Sequence, residues 1–215
     1  MKIKFLTIIL ILLCLPFYSC HSSNKEENYV SQLRKNVFYG ENSDICVKVY
    51  SEEREHPFIN DAKANPRESF IIVKVLNSDK LTSVKVSYLK QNYSATCQYN
   101  IASTSMDCTI KVSSLPANAV FVTVETEESS TRVECLSQLK NNTISPFSAL
   151  DKVKTQQKDF ISSLTNNGTF NAEIYIRLIC EGDYNFYYVG FAQGNNKITA
   201  FLVDGITGEI IAGKT

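Results

Sequence analysis

The chain has 215 residues, with 22 basic and 22 acidic side chains, a formal charge of zero, 12 Phe, 11 Tyr and no Trp. A balanced charge supplies no electrostatic footprint for nucleic acid or for an anionic lipid surface, so no nucleic-acid partner is expected. The chain beyond its N-terminal segment is long enough for one large domain or two small ones.

The first twenty residues set the compartment. Lys2 and Lys4 give a positive start, and an apolar run extends from Phe5 to Leu15, interrupted by Thr7. A run of about eleven residues is the length of a signal-peptide core and well short of the ~20 that span a bilayer as a helix. Pro16 then breaks the run before Phe17-Tyr18-Ser19-Cys20. A small residue directly before a cysteine at this place resembles the bacterial lipobox, although Phe17 stands where an aliphatic residue is usual and Tyr18 is bulky. The resemblance implies a lipoprotein-type signal peptide over residues 1–20, lipid on Cys20, and attachment to the outside of the membrane in the cell envelope. Ordinary cleavage nearby would leave a secreted protein, and both readings export the chain. Cleavage removes Lys2 and Lys4 but no acid, which leaves the remainder slightly acidic. Residues 21–35 read as a polar tether.

Seven cysteines occur. Cys14 leaves with the leader and Cys20 takes the lipid, so Cys46, Cys97, Cys108, Cys135 and Cys180 remain, an odd set that cannot pair fully within one chain. Tyr93, Ala95, Cys97 and Tyr99 alternate, as do Met106, Cys108, Ile110 and Val112. A hairpin turning near Ala102–Ser103 sets Cys97 opposite Cys108, within the reach of a disulfide. Two buried free thiols are the alternative. No CxxC spacing points to a redox motif or a zinc site.

Residues 36–138 read as all-β. Period-two runs occur at Ile45-Val47-Val49, Ile71-Val73-Val75, Val84-Val86-Tyr88, Tyr93 to Tyr99, Met106 to Val112, Val120-Val122-Val124 and Val133-Cys135. Turn signals separate them, including Asn77-Ser78-Asp79 and Lys90-Gln91-Asn92. Short strands at this density suggest an immunoglobulin-like β-sandwich, without the Cys…Trp…Cys hallmark. The polar stretch from Glu52 to Ser69 carries Pro57 and Pro66 and reads as a long loop. Glu52, Glu53, Arg54, Glu55, His56 and Asp61 are its candidate binding residues, and a solvated crossover is the plainer reading.

Glycine usage changes along the chain: of eight glycines, only Gly40 precedes Gly168. This shift marks a second module at 146–215, reached through a linker at 139–145. Ser145 suits a helix N-cap and Pro146 the first helical position. Leu150, Val153, Phe160, Ile161 and Leu164 form one stripe with Gln157 inside it, and Asn167-Gly168 reads as the C-cap. Strands come next at Ile174–Cys180, Tyr184–Phe191, Lys197–Val203 and Glu209–Ala212, with a turn at Asp204–Gly208. A helix followed by an antiparallel sheet makes an α+β module. Helix, aromatic strand (YYVGF), glycine turn and FLVDGITGEIIA together resemble the small PepSY-type domain of exported bacterial proteins, over about 147–213. That resemblance implies an extracytoplasmic interaction module or a restraint on a peptidase. The expected fold is therefore mainly β plus α+β, a β-sandwich followed by a PepSY-like domain.

No catalytic constellation stands out. His56, the one histidine of the folded part, sits as Glu55-His56-Pro57 without HExxH or a comparable spacing. The carboxylates near it do not match the EF-hand pattern, and no Walker or GxGxxG loop occurs. No metal and no cofactor is expected. The residues point to a non-enzymatic, exported binding or regulatory protein that acts through protein–protein contact. An adhesin-like protein that binds carbohydrate or a host surface is the alternative. An exposed aromatic platform would favour a glycan partner, and an apolar patch or open sheet edge a protein partner.

Overall fold

The computed structural model describes residues 25–57, 59, 61, 64–76, 82–194 and 197–214. The leader, Cys20, the beginning of the tether and the turn at Asn77-Ser78-Asp79 lie outside them. The described chain is mostly β.

A short 3-10 turn, Lys25–Tyr29, leads into nine strands: β1 Val30–Glu41, β2 Cys46–Glu55, β3 Arg67–Leu76, β4 Ser83–Tyr88, β5 Gln91–Thr96, β6 Gln98–Asn100, β7 Ser105–Lys111, β8 Ala119–Glu125 and β9 Ser130–Ser137. Each alternating run of the sequence is a strand. Tyr93 to Tyr99 is the one divided run. The chain leaves its pairing with β4 at Thr96 and pairs with β7 from Gln98. Val47 and Val49 of β2, Ile71, Val73 and Val75 of β3, and Met106, Cys108 and Ile110 of β7 share a buried core with Val84 and Val86 of β4, Val120, Val122 and Val124 of β8, and Val133 and Cys135 of β9. Alternate positions of each strand enter this core, as a period of two requires.

The C-terminal part contains α1 Pro146–Gln156, α2 Lys158–Ser163, the two-residue strands β10 Thr165–Asn166 and β11 Thr169–Phe170, then β12 Glu173–Glu181, β13 Tyr184–Gln193, β14 Lys197–Asp204 and β15 Ile210–Lys214. Ser145 caps α1: its hydroxyl accepts the Ser148 N–H at 3.0 Å. The helical stripe is not one helix. It breaks at Gln157, which adopts φ −119° and ψ 43°, the position where a polar residue interrupts the apolar face. Asn167-Gly168 is likewise not a C-cap. With φ of 49° and 77° it forms the two-residue turn between β10 and β11, the geometry that Asn-Gly favours in hairpins. Asp204 shapes the next turn by accepting the N–H groups of Ile206 and Thr207 at 2.8 and 2.7 Å.

One strand joins the two parts. The sheet runs β15-β14-β13-β12-β1-β2-β3-β7-β6, and β1 pairs with β12 in parallel, with β2 along its length and with β9 at Phe38 and Tyr39. Val30, Leu33 and Val37 of β1 belong to the C-terminal core beside Leu150 and Val153 of α1, Ile174 and Ile176 of β12, and Phe191 of β13, whereas Phe38 belongs to the N-terminal core. Residues 30–35 are therefore sheet, not tether. Their pattern hides this because a bulge between Arg34 and Asn36 shifts the register, and a bulge reverses which face later residues occupy. The segment 139–145 is also held. Lys140 N–H and the Thr143 hydroxyl both donate to Asn185 Oδ1 at 2.8 Å, and the Tyr187 hydroxyl donates to the Ile144 carbonyl at 2.8 Å.

Candidate functional site

Strand register assembles a charged cluster on the sheet. Gln32 and Arg34 of β1 stand opposite Arg54 and Glu52 of β2 and, on their other side, Tyr175 and Arg177 of β12. Tyr188 and Gly190 of β13 extend these rows beyond Arg177 and Tyr175, and Phe70 of β3 extends one beyond Glu52. Ile174, Ile176 and Leu178 of β12 are in the core beneath α1, so Tyr175 and Arg177 face the side of the sheet away from the helix. Adjacent strands lie ~4.8 Å apart, which brings Arg34 and Arg54 to one carboxylate and Arg177 to the Gln32 beside it.

That carboxylate, Glu52, is fully buried. Its Oε2 accepts from Gln32 Nε2 at 2.9 Å and lies 3.5 Å from Arg34 Nε, and its Oε1 lies 3.5 Å from Arg54 Nη1. Arg177 Nε donates to Gln32 Oε1 at 2.7 Å, so Gln32 relays between Arg177 and Glu52. Each guanidinium also covers an aromatic ring. Arg34 lies 4.1 Å from the centroid of Tyr50, Arg54 4.8 Å from Phe70, and Arg177 5.3 and 5.5 Å from Tyr175 and Tyr188. A Cβ at Gly190 would come within 2.7 Å of the Tyr188 ring, so the glycine lets that ring lie down beside Arg177. Burial pushes the Arg34 guanidinium below its ordinary value. Glu52 and Tyr50 pull it back up, while Arg177 pushes it further down. Arginine nevertheless keeps its charge, and Arg34 Nε remains buried without a hydrogen bond.

The residues read from sequence as a binding loop divide here. Glu52, Glu53, Arg54 and Glu55 are not loop but the end of β2. A polar run forms a strand there because its neighbours across the sheet are the charged and polar residues of β1. Glu53 pairs with Lys35 and lies 3.7 Å from Arg67. Glu55 is buried and accepts from Asn65 Nδ2 at 3.0 Å. His56 and Asp61 are in the connection. The His56 ring lies 5.5 Å from that of Phe70, and Asp61 N–H donates to Glu173 Oε1 at 2.9 Å. Glu173 is fully buried and also accepts from the Tyr175 hydroxyl at 3.4 Å. The connection is thus tied at Asn65 and Asp61 to two buried carboxylates at the margin of the arginine cluster. Among the described residues, no three His, Cys, Asp or Glu side chains gather as a metal site.

Arg34, Arg177, Gln32, Tyr175 and Tyr188 do not stand out in the sequence. The one signal there is Glu173-Ile174-Tyr175-Ile176-Arg177, whose non-aliphatic positions alternate with core aliphatics and so share the opposite face.

The cysteines adopt the expected register. Gln98, Tyr99 and Asn100 pair with Asp107, Met106 and Ser105, which sets Cys97 against Cys108. Both are buried free thiols. The neighbouring Cys108 thiol holds Cys97 below its ordinary value, against burial, and Cys97 together with burial raises Cys108. Cys97 N–H donates to the Thr82 carbonyl at 2.8 Å, at the point where the chain crosses from β5 to β6. A cleft of about 700 Å³ lined by Tyr99, Ile101, Asp107 and Cys108 opens beside the pair. Cys20 lies outside the described residues.

Compared with family models, with curated proteins and with solved structures, the chain matches none.

Proposed function

We propose that this is an exported binding protein, held to the outer side of a bacterial membrane through lipid on Cys20, that works by contacting another protein rather than by catalysis. The observation that carries the binding role is the set of Arg34 and Arg54 on the buried Glu52 carboxylate, with Arg177 joined to it through Gln32, on the side of the sheet away from α1. An arginine face with interleaved aromatics is the composition that protein interfaces favour. The leader ending in Ser19-Cys20 supports export and anchoring. The strand order β2, β3 and β7 over β4, β8 and β9 supports an immunoglobulin-like first part, and α1 followed by β12 to β15 supports a PepSY-like second part.

The glycan reading has less support. Sugar rings stack on open aromatic faces, whereas Tyr50, Phe70, Tyr175 and Tyr188 are each faced by a guanidinium. A photo-crosslinking residue at Lys48, on the same face of β2 as Glu52 and Arg54, tests the proposal in intact cells. Irradiation should give a covalent adduct with another protein, and the same residue at Lys152 on α1 should give none. Adducts of equal yield at both positions, or at neither, contradict the assignment.

A further inference from the structure

We propose that the face formed by Arg34, Arg54 and Arg177 binds an extended, carboxylate-rich segment of the partner protein. This inference rests on the reading of the chain as a protein-binding module and adds the chemistry of what it binds.

The charge balance of the face points to an anion. Two of its outlying lysines are already paired, Lys111 with Glu68 at 2.6 Å and Lys74 with Asp107 at 2.7 Å. Glu52 serves both Arg34 and Arg54, and Arg177 makes no ion pair among the described residues. Arg34 and Arg54 thus share the carboxylate of Glu52, and Arg177 reaches it only through Gln32. Arg34 Nε and Arg54 Nη1 each lie 3.5 Å from Glu52, and both side chains stay partly open, 17% and 29% exposed. A guanidinium carries five donors, more than one shared carboxylate satisfies, and a second carboxylate takes up the rest with charge-assisted, two-pronged hydrogen bonds.

The arrangement also fits an extended chain. Arg34 and Arg177 occupy neighbouring strands in one row, and Arg54 lies in the next row, two residues along β2 from Glu52. Rows repeat about every 6.8 Å along a strand, and an extended peptide presents alternate side chains at that same interval. Acidic residues at alternate positions of a bound segment therefore meet successive rows. Stacking keeps the guanidinium planes fixed over Tyr50, Phe70 and Tyr175, which reduces the ordering cost of binding.

The test uses residues 21–215, the exported chain without its lipid-bearing Cys20, and a synthetic ten-residue peptide of alternating Glu and Thr, with binding read by calorimetric titration. Binding should weaken as salt rises, and the peptide with Gln for Glu should bind about tenfold more weakly or worse. Arg54→Gln, at the more exposed of the two Glu52-bound arginines, should lose about as much affinity, and Arg54→Lys should restore part of it. Arg177→Gln, which leaves the Glu52 ion pairs in place, should weaken binding as well. Equal affinity for the Glu and Gln peptides overturns the proposal, as does unaltered binding by both arginine variants. Tighter binding of oligogalacturonate than of the peptide would assign the same carboxylate chemistry to a glycan and overturn the protein partner. Crosslinked protein at Lys48 without acidic-peptide binding would refute this inference alone and leave the binding role standing.

Discussion

Replacing Glu52 by Gln keeps the shape of the side chain and removes the one charge that offsets Arg34 and Arg54. The carboxylate is fully buried, lies 3.5 Å from each guanidinium and accepts from Gln32 at 2.9 Å. Removing one partner of a buried ion pair costs about 3–5 kcal/mol, because the charge left behind is neither solvated nor compensated. Here two guanidiniums are left, so the upper part of that range applies. For a chain of this size each kcal/mol moves the melting temperature by about 2–4 °C, which predicts a fall of about 8–20 °C. Urea unfolding monitored by circular dichroism measures the loss directly. The double variant Glu52→Gln/Arg34→Gln should recover part of it, since the two side chains couple. A loss below about 1 kcal/mol would show that solvent already screens these arginines, as it does for surface pairs, and that Glu52 does not hold the cluster together.

If Cys97 and Cys108 are oxidised by a disulfide-carrying exchange partner outside the cytoplasm, the bridge closes a loop of about twelve residues and stabilises by about 3 kcal/mol. Reduction should then lower the melting temperature and Cys97→Ser should mimic it, whereas a mapped bridge from Cys97 to Cys46 or Cys135 would contradict the pairing. Residues 144–215 alone lack β1 and with it Val30, Leu33 and Val37 of the C-terminal core. The isolated piece should show no cooperative transition, and Leu33→Ala in the full chain should cost about 2–5 kcal/mol. A sharp unfolding transition of the fragment would refute the shared-strand architecture. The Asp204 carboxyl is held below its ordinary value by the N–H groups of Thr207 and Ile206. A depressed folded-state value stabilises above the unfolded value of about 3.9 and is lost as pH falls through the folded one. The stability gap between wild type and Asp204→Asn should therefore be constant near neutrality and close under acid, and a gap unchanged at pH 2 would contradict this.

Much of the fold was legible because its elements obey simple periods. The strands from Val47 to Cys135 alternate cleanly since one side of each lies in a single core, and Ser145-Pro146 marks the start of α1. The Cys97–Cys108 register could be read from turn position alone. Two physical causes hid the rest. β1 carries a bulge, and its outward residues are Gln32 and Arg34, so a central strand reads as a polar tether. The charges of β2 read as a loop for the same reason: buried charge in a strand is intelligible only beside the partners that compensate it, and those partners lie on β1 and β12, far off in sequence. Asn167-Gly168 illustrates a local ambiguity, since both a C-cap and a hairpin turn require positive φ. The arginine site could not be seen before pairing, because Arg34, Arg54 and Arg177 meet only when a parallel β1–β12 register is known.

The role given to this face requires that the chain be displayed outside the cytoplasm by the lipid on Cys20. Metabolic labelling with a fatty-acid analogue, combined with fractionation of cells that carry wild type or Cys20→Ala, tests this directly. Wild type should take up the label and sediment with membranes, and Cys20→Ala should lose the label and leave the membrane fraction. Unlabelled wild type in the cytosol, or equal labelling of the two proteins, would contradict it.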